Sequence, residues 1–202
     1  MNKTVSALAA LIVTALIITA LAMPARADDE ASNRPLVVTS QYGNCYARSI
    51  PSGTYGNEGR TQIFLVEAEA DRLIHTYDWY AHTLRLECNV AGADGSVGVS
   101  VVGFGPWARG QAADDETLAL AFYWNGRLLR RYSTLDLAER PDNVQASISH
   151  YTVIDGVIGY QSIAGNRYAF AVRLVDGREL VFDAGAGALV QTIEDGRPRL
   201  GE

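Results

Sequence analysis

The segment LALAFYWNGRLLRRY, residues 118–132, decides the fold class of this 202-residue chain. Apolar and aromatic residues fill 118–123, apolar residues return in 128–132, and the dipeptide Asn125-Gly126 lies between the two runs. Asn-Gly favours a type I′ turn because both central residues of that turn need positive φ. The segment therefore predicts two antiparallel strands joined by a tight turn.

A second segment with the same design lies at 168–182, where Asp176-Gly177 separates two further apolar runs. Because turn signals are frequent and leave little room for long helices, the chain is predicted to be all-β and antiparallel. Helix-favouring residues at 66–80 leave a helix open there, and the acidic cluster 114–116 could begin another. The remaining turn signals are Gly43-Asn44, Asp94-Gly95, Asp155-Gly156 and Gly165-Asn166.

Three hairpin-like segments, 63–77, 118–132 and 169–183, share one pattern: an apolar strand, a turn, an arginine and a second apolar strand. Each segment follows another short β-rich stretch, so the chain is predicted to contain about three hairpin-containing repeats of roughly 50 residues. The alternative is that the segments are alike only because hairpins in general are alike.

The turns Asn125-Gly126-Arg127 and Asp176-Gly177-Arg178, with their flanking strands, resemble the blades of β-propellers of the WD40 and quinoprotein-like families. The chain has no Trp-Asp pair at the end of a unit, and three blades would leave a ring incomplete. The resemblance therefore implies an incomplete propeller-like stack. A sandwich, a barrel and a ring completed by a second copy, which would make the protein a homo-oligomer, are the alternatives. No functional residue is transferred by this resemblance.

Residues 1–27 have the pattern of a bacterial secretory signal peptide. Lys3 supplies the positive charge, 7–22 is an uncharged and mostly apolar run, and Ala25-Arg26-Ala27 has the small-x-small pattern of a cleavage site. The alternative is an uncleaved anchor helix, although the run is shorter than the roughly 20 residues that span a bilayer. We therefore expect an exported protein, periplasmic or extracellular, with no membrane span after cleavage.

The predicted mature chain divides into a flexible segment at 28–35, one all-β domain at 36–195 and a flexible tail at 196–202, because both ends are polar.

The predicted mature chain contains 15 arginines, no lysine and 23 acidic residues, which gives a formal charge of −8. The lack of lysine excludes Schiff-base chemistry, pyridoxal phosphate attachment and a P-loop. A net negative charge without a basic cluster argues against nucleic acid as a partner.

The sequence contains two cysteines, Cys45 and Cys88. Exported compartments are oxidising, so a disulfide between them is predicted. Such a bond would close a loop of about 43 residues, for which the chain-entropy model gives roughly 4 kcal/mol of stabilisation. The alternative is two buried free thiols. Two cysteines and three histidines are too few for a cysteine-rich zinc site, and no metal or cofactor is predicted.

The first candidate binding segment is 77–82, Tyr-Asp-Trp-Tyr-Ala-His. If the segment is extended, Asp78, Tyr80 and His82 share one face, while Trp79 lies on the other. Such a polar and aromatic surface would stack on sugar rings or hold a peptide. The alternative is an aromatic strand whose face with Trp79 belongs to the core.

The second candidate is Trp107 with Arg109, on a glycine-rich loop of the kind that often carries function. The alternative is that Trp107 folds back to close one end of a sandwich or barrel. His150-Tyr151 is a third candidate that we assign to the core. The acidic cluster 114–116 is interpreted as a solvated loop in preference to a Ca²⁺ site.

The sequence lacks the Gly-x-Ser-x-Gly, His-Glu-x-x-His and EF-hand motifs, so no catalytic residue is predicted. The leading hypothesis is a non-catalytic binding or structural module of the cell envelope with a protein or glycan partner. The alternative hypothesis is a secreted hydrolase of glycans or esters, with Asp78 and His82 as its first candidate residues.

Overall fold

The computed structural model describes residues 30–194 and 196–200, with only the backbone for 198–200. The predicted signal peptide, 1–27, lies outside the described residues. Three larger sheets follow one another along the chain, and one short helix lies between the second and the third. The prediction of an all-β, antiparallel fold is confirmed, and the similarity of the three units stays a prediction.

The described elements are these. Sheet 1 contains β1 (Leu36–Thr39), β2 (Cys45–Pro51), β3 (Gly59–Leu65) and β4 (Arg72–Tyr77). Sheet 2 contains β5 (Leu84–Ala91), β6 (Val97–Phe104), β7 (Leu118–Trp124) and β8 (Arg127–Ser133). Helix α1 (Thr134–Ala138) follows, and then β9 (Gln145–Ala146) pairs with β10 (Tyr151–Thr152). Sheet 3 contains β11 (Ile154–Ala164), β12 (Arg167–Leu174), β13 (Glu179–Asp183), β14 (Leu189–Glu194) and β15 (Arg197–Leu200). Within each larger sheet every strand pairs antiparallel with the next strand along the chain, so each sheet is an open meander.

Sheet 2 lies between the other two sheets and is covered on both faces. One apolar cluster joins it to sheet 1 and includes Ile63, Leu86 and Val101. A second cluster joins it to sheet 3 and includes Phe122 and Phe170. Burial on both faces explains why β6 and β7 have nearly continuous apolar sequences, while β2, which is buried on one face, alternates.

The predicted disulfide is confirmed, because Cys45 on β2 is bonded to Cys88 on β5. Both cysteines are buried in the cluster between sheets 1 and 2. The bond therefore fastens the first sheet to the second.

The two glycine turns both close hairpins, but in different ways. Asn125 and Gly126 have φ of 47° and 81°, as the type I′ prediction requires. At the other turn Gly177 has φ of 87°, and its N–H donates to Leu174. Asp176 is not among the residues with positive φ. This loop is one residue longer than predicted. Its β-turn has no positive φ at Asp176 and is followed by Gly177 in the left-handed conformation.

The structure corrects two local expectations. Residues 66–71 form a loop between β3 and β4, and no helix forms at 66–80. Asp155-Gly156 lies inside β11 at a shift in strand register, so it marks a bulge and not a turn. The helix that does form, α1, begins after Ser133, whose side chain accepts from the Asp136 N–H in a capping box.

Specific contacts are formed near both ends of the described residues. The Asn33 N–H donates to Thr54 O at 2.7 Å, and its side-chain amide donates to the carbonyls of Gly53 and Gly56. At the other end β15 pairs with β14. The flexibility of the two end segments, 28–35 and 196–202, stays a prediction.

Candidate functional site

A cavity of about 580 Å³ opens where the end of sheet 2 meets the start of β11. We call it the Trp107 cavity. Its walls are mostly apolar, with Phe104, Leu118 and Val153 among them. Its polar and aromatic lining residues are His82, Thr83, Trp107, Thr134, His150, Tyr151, Thr152 and Asp155. This volume and this mixture of walls are typical of a small-molecule or sugar site.

Trp107 is placed by the loop that follows β6. The Gly105 N–H donates to Ala119 O, and a Cβ at Gly105 would overlap the carbonyl oxygen of Leu118. Only glycine therefore lets the chain turn away so close to β7 and carry the indole of Trp107 to the cavity. Trp107 is half-buried and lines the cavity.

His150 is brought to Trp107 by a second extended segment. The Tyr151 N–H donates to Ala108 O at 3.0 Å, and Arg109 forms an isolated antiparallel bridge with His150. The imidazole and the indole lie against each other with ring centroids 3.9 Å apart. The two rings form a joint aromatic wall of the cavity. The sequence predicts a core position for both His150 and Tyr151. Tyr151 is buried as predicted, whereas His150 is half-buried and lines the cavity.

Hydrogen bonds among Tyr151, Asp114 and Thr134 hold the floor of the cavity behind this aromatic wall. The Tyr151 hydroxyl donates to Asp114 Oδ2 at 3.1 Å and lies 2.9 Å from Thr134 Oγ1. Burial raises the pKa of Asp114, but hydrogen bonds from the Thr117 backbone and hydroxyl, from Tyr151 and from the Glu116 N–H outweigh burial and lower it. Asp114 is thus a structural anion that holds the floor in place.

Arg109 lies beyond the cavity lining and forms an ion pair with Glu30. Arg109 Nη2 and Glu30 Oε2 are 2.8 Å apart, and the side chain of Arg109 is 75 % exposed while that of Glu30 is 12 % exposed. The neighbouring Ala31 lines the cavity. The pair therefore fastens the segment that precedes β1 across one side of the Trp107 cavity.

The expectation that Asp78, Tyr80 and His82 share one strand face is wrong for Asp78, whereas Tyr80 and His82 do contact each other. β4 ends at Tyr77, and the Tyr80 N–H donates to Asn57 O at 2.7 Å, which turns the segment away from strand geometry. Asp78 is exposed in a separate depression beside Arg60 and is not part of the Trp107 cavity.

Tyr80 and His82 contact each other but differ in exposure: the Tyr80 hydroxyl lies 3.4 Å from His82 Nδ1, and the ring centroids are 5.3 Å apart. Tyr80 is 1 % exposed, and its hydroxyl donates to Arg34 O at 2.9 Å. His82 is exposed and lines the Trp107 cavity. Of the three side chains expected to act together, the structure brings only His82 to the cavity.

Trp79 is largely part of the core, as the alternative interpretation of its segment proposed. Its ring stacks on Tyr77 with centroids 5.1 Å apart and lies 5.2 Å from Tyr123. Burial raises the pKa of Tyr123. Trp79, Tyr80 and Arg131 also line a smaller cavity of about 190 Å³, which shares the side chains of Phe104 and Leu118 with the Trp107 cavity.

Comparisons with known proteins give no family for this chain: no family model matches it, and no curated protein is significantly similar. Among the residues that the structure describes, no helix is long and apolar enough to cross a membrane. Nor do His, Cys, Asp and Glu side chains come together there in a group of three or more that could hold a metal ion.

Proposed function

We propose that this protein is an exported, non-catalytic binding module that holds a unit of a glycan in the Trp107 cavity. The observation that carries the proposal is the aromatic wall of Trp107 and His150 in a cavity of about 580 Å³. The C–H face of a sugar ring packs on aromatic rings, and cavities of this size hold ligands of a few rings.

Polar groups at the cavity supply the hydrogen bonds that sugar hydroxyls require. His82, Thr152 and Asp155 line it, and Asp155 lies 3.4 Å from Arg173 Nε, with both side chains about half exposed. Hydroxyls of a ligand can donate to the carboxylate of Asp155. The Thr134 and Tyr151 hydroxyls already bond each other and Asp114, so they support the floor and do not contact the ligand directly.

The disulfide and the predicted signal peptide support the exported location. Cys45 and Cys88 are bonded, and such bonds persist mainly in oxidising compartments. Together with the predicted signal peptide, the bond favours the periplasm or the exterior, where glycans are abundant.

The alternative, a secreted hydrolase, has less support. Its first two candidate residues, Asp78 and His82, line different depressions, so they do not form an acid–base pair around one substrate. The carboxylate that lines the same cavity as His82 is that of Asp155, which has Arg173 as its partner.

A glycan titration tests the proposal. Intrinsic fluorescence is followed while cell-wall and capsular oligosaccharides are added to the exported protein, and the same mixtures are assayed for newly formed reducing ends. We expect saturable binding without turnover, at least a ten-fold weaker affinity for Trp107→Ala, and an unchanged affinity for Tyr55→Ala. Tyr55 is a suitable control because it is an aromatic residue that is 50 % exposed and outside the cavity.

Three results would contradict the proposal. Binding that Trp107→Ala leaves unchanged would place the site elsewhere. Binding of peptides but of no oligosaccharide would replace the glycan with a protein partner. Release of reducing ends that His82→Gln or Asp155→Asn abolishes, without a loss of thermal stability, would favour the hydrolase.

A further inference from the structure

The smaller cavity beside the Trp107 cavity has an aromatic and a charged side chain in its lining. Its volume is about 190 Å³, and its lining includes Trp79 and Arg131, which lies on strand β8. We call it the Arg131 cavity. Because it shares Phe104 and Leu118 with the Trp107 cavity, the two cavities lie side by side.

Small side chains make room for the Arg131 cavity on one face of sheet 2. Gly103, Ala121 and Arg131 are paired neighbours on β6, β7 and β8, so they share one face of the sheet. A Cβ at Gly103 would lie 3.5 Å from the Trp79 ring. Large side chains at 103 and 121 would therefore fill the space that this cavity occupies.

Trp79 and Tyr123 form the aromatic wall of the Arg131 cavity. Both are half-buried, and their ring centroids lie 5.2 Å apart. Burial raises the pKa of Tyr123, and the charge of the nearby Arg131 only partly opposes this rise. Tyr123 therefore stays neutral and does not compensate the charge of the guanidinium.

Arg131 is also without a carboxylate partner. Its side chain is exposed, and it takes part in none of the ion pairs among the described residues. Glu58 and Asp78 adjoin lining residues in the sequence, but neither lines the cavity, and Asp78 lies in the depression beside Arg60. The described lining therefore contains one cation and otherwise neutral residues.

We propose that the Arg131 cavity is a second subsite, which holds a sugar unit with a carboxylate next to the unit in the Trp107 cavity. This inference rests on the proposed function and narrows its ligand to acidic saccharides. A guanidinium binds a carboxylate through two parallel N–H···O hydrogen bonds. The ring of the same sugar unit packs on Trp79.

Charge matching favours a carboxylate over a phosphate monoester. One guanidinium balances the single charge of a carboxylate, whereas a phosphate monoester carries about −1.5 to −2 at pH 7 and would keep part of its charge unbalanced. The net charge of the chain is negative, but exposed charges more than about 8 Å away are largely screened at physiological ionic strength. The charge of Arg131 therefore determines which ligands this cavity accepts.

The test compares charged and neutral forms of the same oligosaccharides by titration calorimetry. The probes are tetramers of galacturonate and of mannuronate, each as the free acid and as the uncharged methyl ester. We expect at least one acid to bind about ten-fold more tightly than its ester, because its hydrogen bonds to the guanidinium are charge-assisted. Added sodium chloride should reduce this difference.

Two arginine variants assign the difference to the cavity. Arg131→Gln should weaken binding of the acid about ten-fold and leave binding of the ester unchanged. Arg130→Gln is the matched control, because Arg130 is the neighbouring exposed arginine on β8 and lines neither cavity. It pairs with Phe122, whose side chain belongs to the cluster between sheets 2 and 3, so it lies on the other face. This variant should keep the preference for the acid.

The outcomes separate this proposal from the glycan proposal. Equal binding of acid and ester, both weakened by Trp107→Ala, would overturn the acidic subsite and leave the glycan site in place. A preference for the acid that Arg131→Gln removes but Trp107→Ala leaves unchanged would support the subsite and contradict the glycan site. Binding of neither acid, equal effects of the two arginine variants, or tighter Arg131-dependent binding of mannose 6-phosphate would each overturn the carboxylate subsite.

Discussion

Cys45 and Cys88 join two different sheets, with their Cα atoms 6.4 Å apart in the cluster between sheets 1 and 2. Cys45 is the first residue of β2, and β3 and β4 also precede Cys88, so the bond closes a loop that contains three of the four strands of sheet 1. Sheet 1 packs on sheet 2 through this cluster. In the unfolded chain, the bond therefore limits how far the strands of sheet 1 can separate from those of sheet 2.

Removing the disulfide should destabilise the protein without changing its fold. For Cys45→Ala combined with Cys88→Ala, we expect the free energy of unfolding to fall by about 2–4 kcal/mol, because the unfolded chain gains loop entropy. Urea denaturation of the variant measures the loss, and wild-type protein with and without reductant provides the comparison. Equal midpoints in all three samples would show that the bond contributes no stability.

Replacing Gly126 should cost more than replacing Gly177. Both have positive φ, so an alanine at either turn is strained, by about 1–2 kcal/mol. A Cβ at Gly126 would also lie 2.9 Å from Nδ1 of His75, whereas a Cβ at Gly177 would meet no atom within 4 Å. We therefore expect a larger decrease in Tm for Gly126→Ala than for Gly177→Ala. The excess should disappear when His75→Ala is added, and equal decreases would contradict the proposed contact.

Stability should decrease below about pH 6.5 because of His75. Burial lowers the pKa of His75 in the folded protein below its ordinary value of 6.5. The unfolded chain then takes up the proton first, so the free energy of unfolding is highest above pH 6.5 and falls as the pH drops toward the folded pKa. Denaturation between pH 5 and 8 measures this slope. His75→Gln should flatten it, and an unchanged slope would assign it to other groups.

The sequence predicts the fold where local chemistry decides it. Asn125-Gly126 has few alternatives to a tight hairpin turn, and the two-sided burial of sheet 2 agrees with its continuous apolar strands. Asp155-Gly156 has the same kind of signal but lies within β11, because its pairing with β12 continues past it through a bulge. Strand pairing over long range therefore overrides a dipeptide preference.

The candidate site could be predicted only in part, for the same reason. The glycine-rich loop around Trp107 indicates that residue from the sequence alone, and the aromatic segment before His82 indicates the histidine. The alignment of Asp78 with His82 failed because the bond between Tyr80 and Asn57 joins distant parts of the chain. His150 reaches Trp107 through pairing of 150–151 with 108–109, which no local pattern indicates.

The last prediction concerns Arg178, a buried arginine that holds helix α1 against the β12–β13 turn. Its Nη2 donates to the carbonyls of Leu137 and Ala138 at 3.0 and 3.2 Å, and its Nε lies 2.7 Å from Asp176. Arg178→Met should lower the free energy of unfolding by about 3–5 kcal/mol, because Asp176 and Glu139 both lose their ion pair with the guanidinium and two carbonyls lose their donor. Adding Asp176→Asn to this variant should restore part of the loss, since it removes the unpaired charge. Urea denaturation measures both variants, with Arg173→Met, at a half-exposed arginine, as the control. A cost below about 1 kcal/mol for Arg178→Met, the range of an exposed ion pair, would show that this network contributes no more than a surface pair.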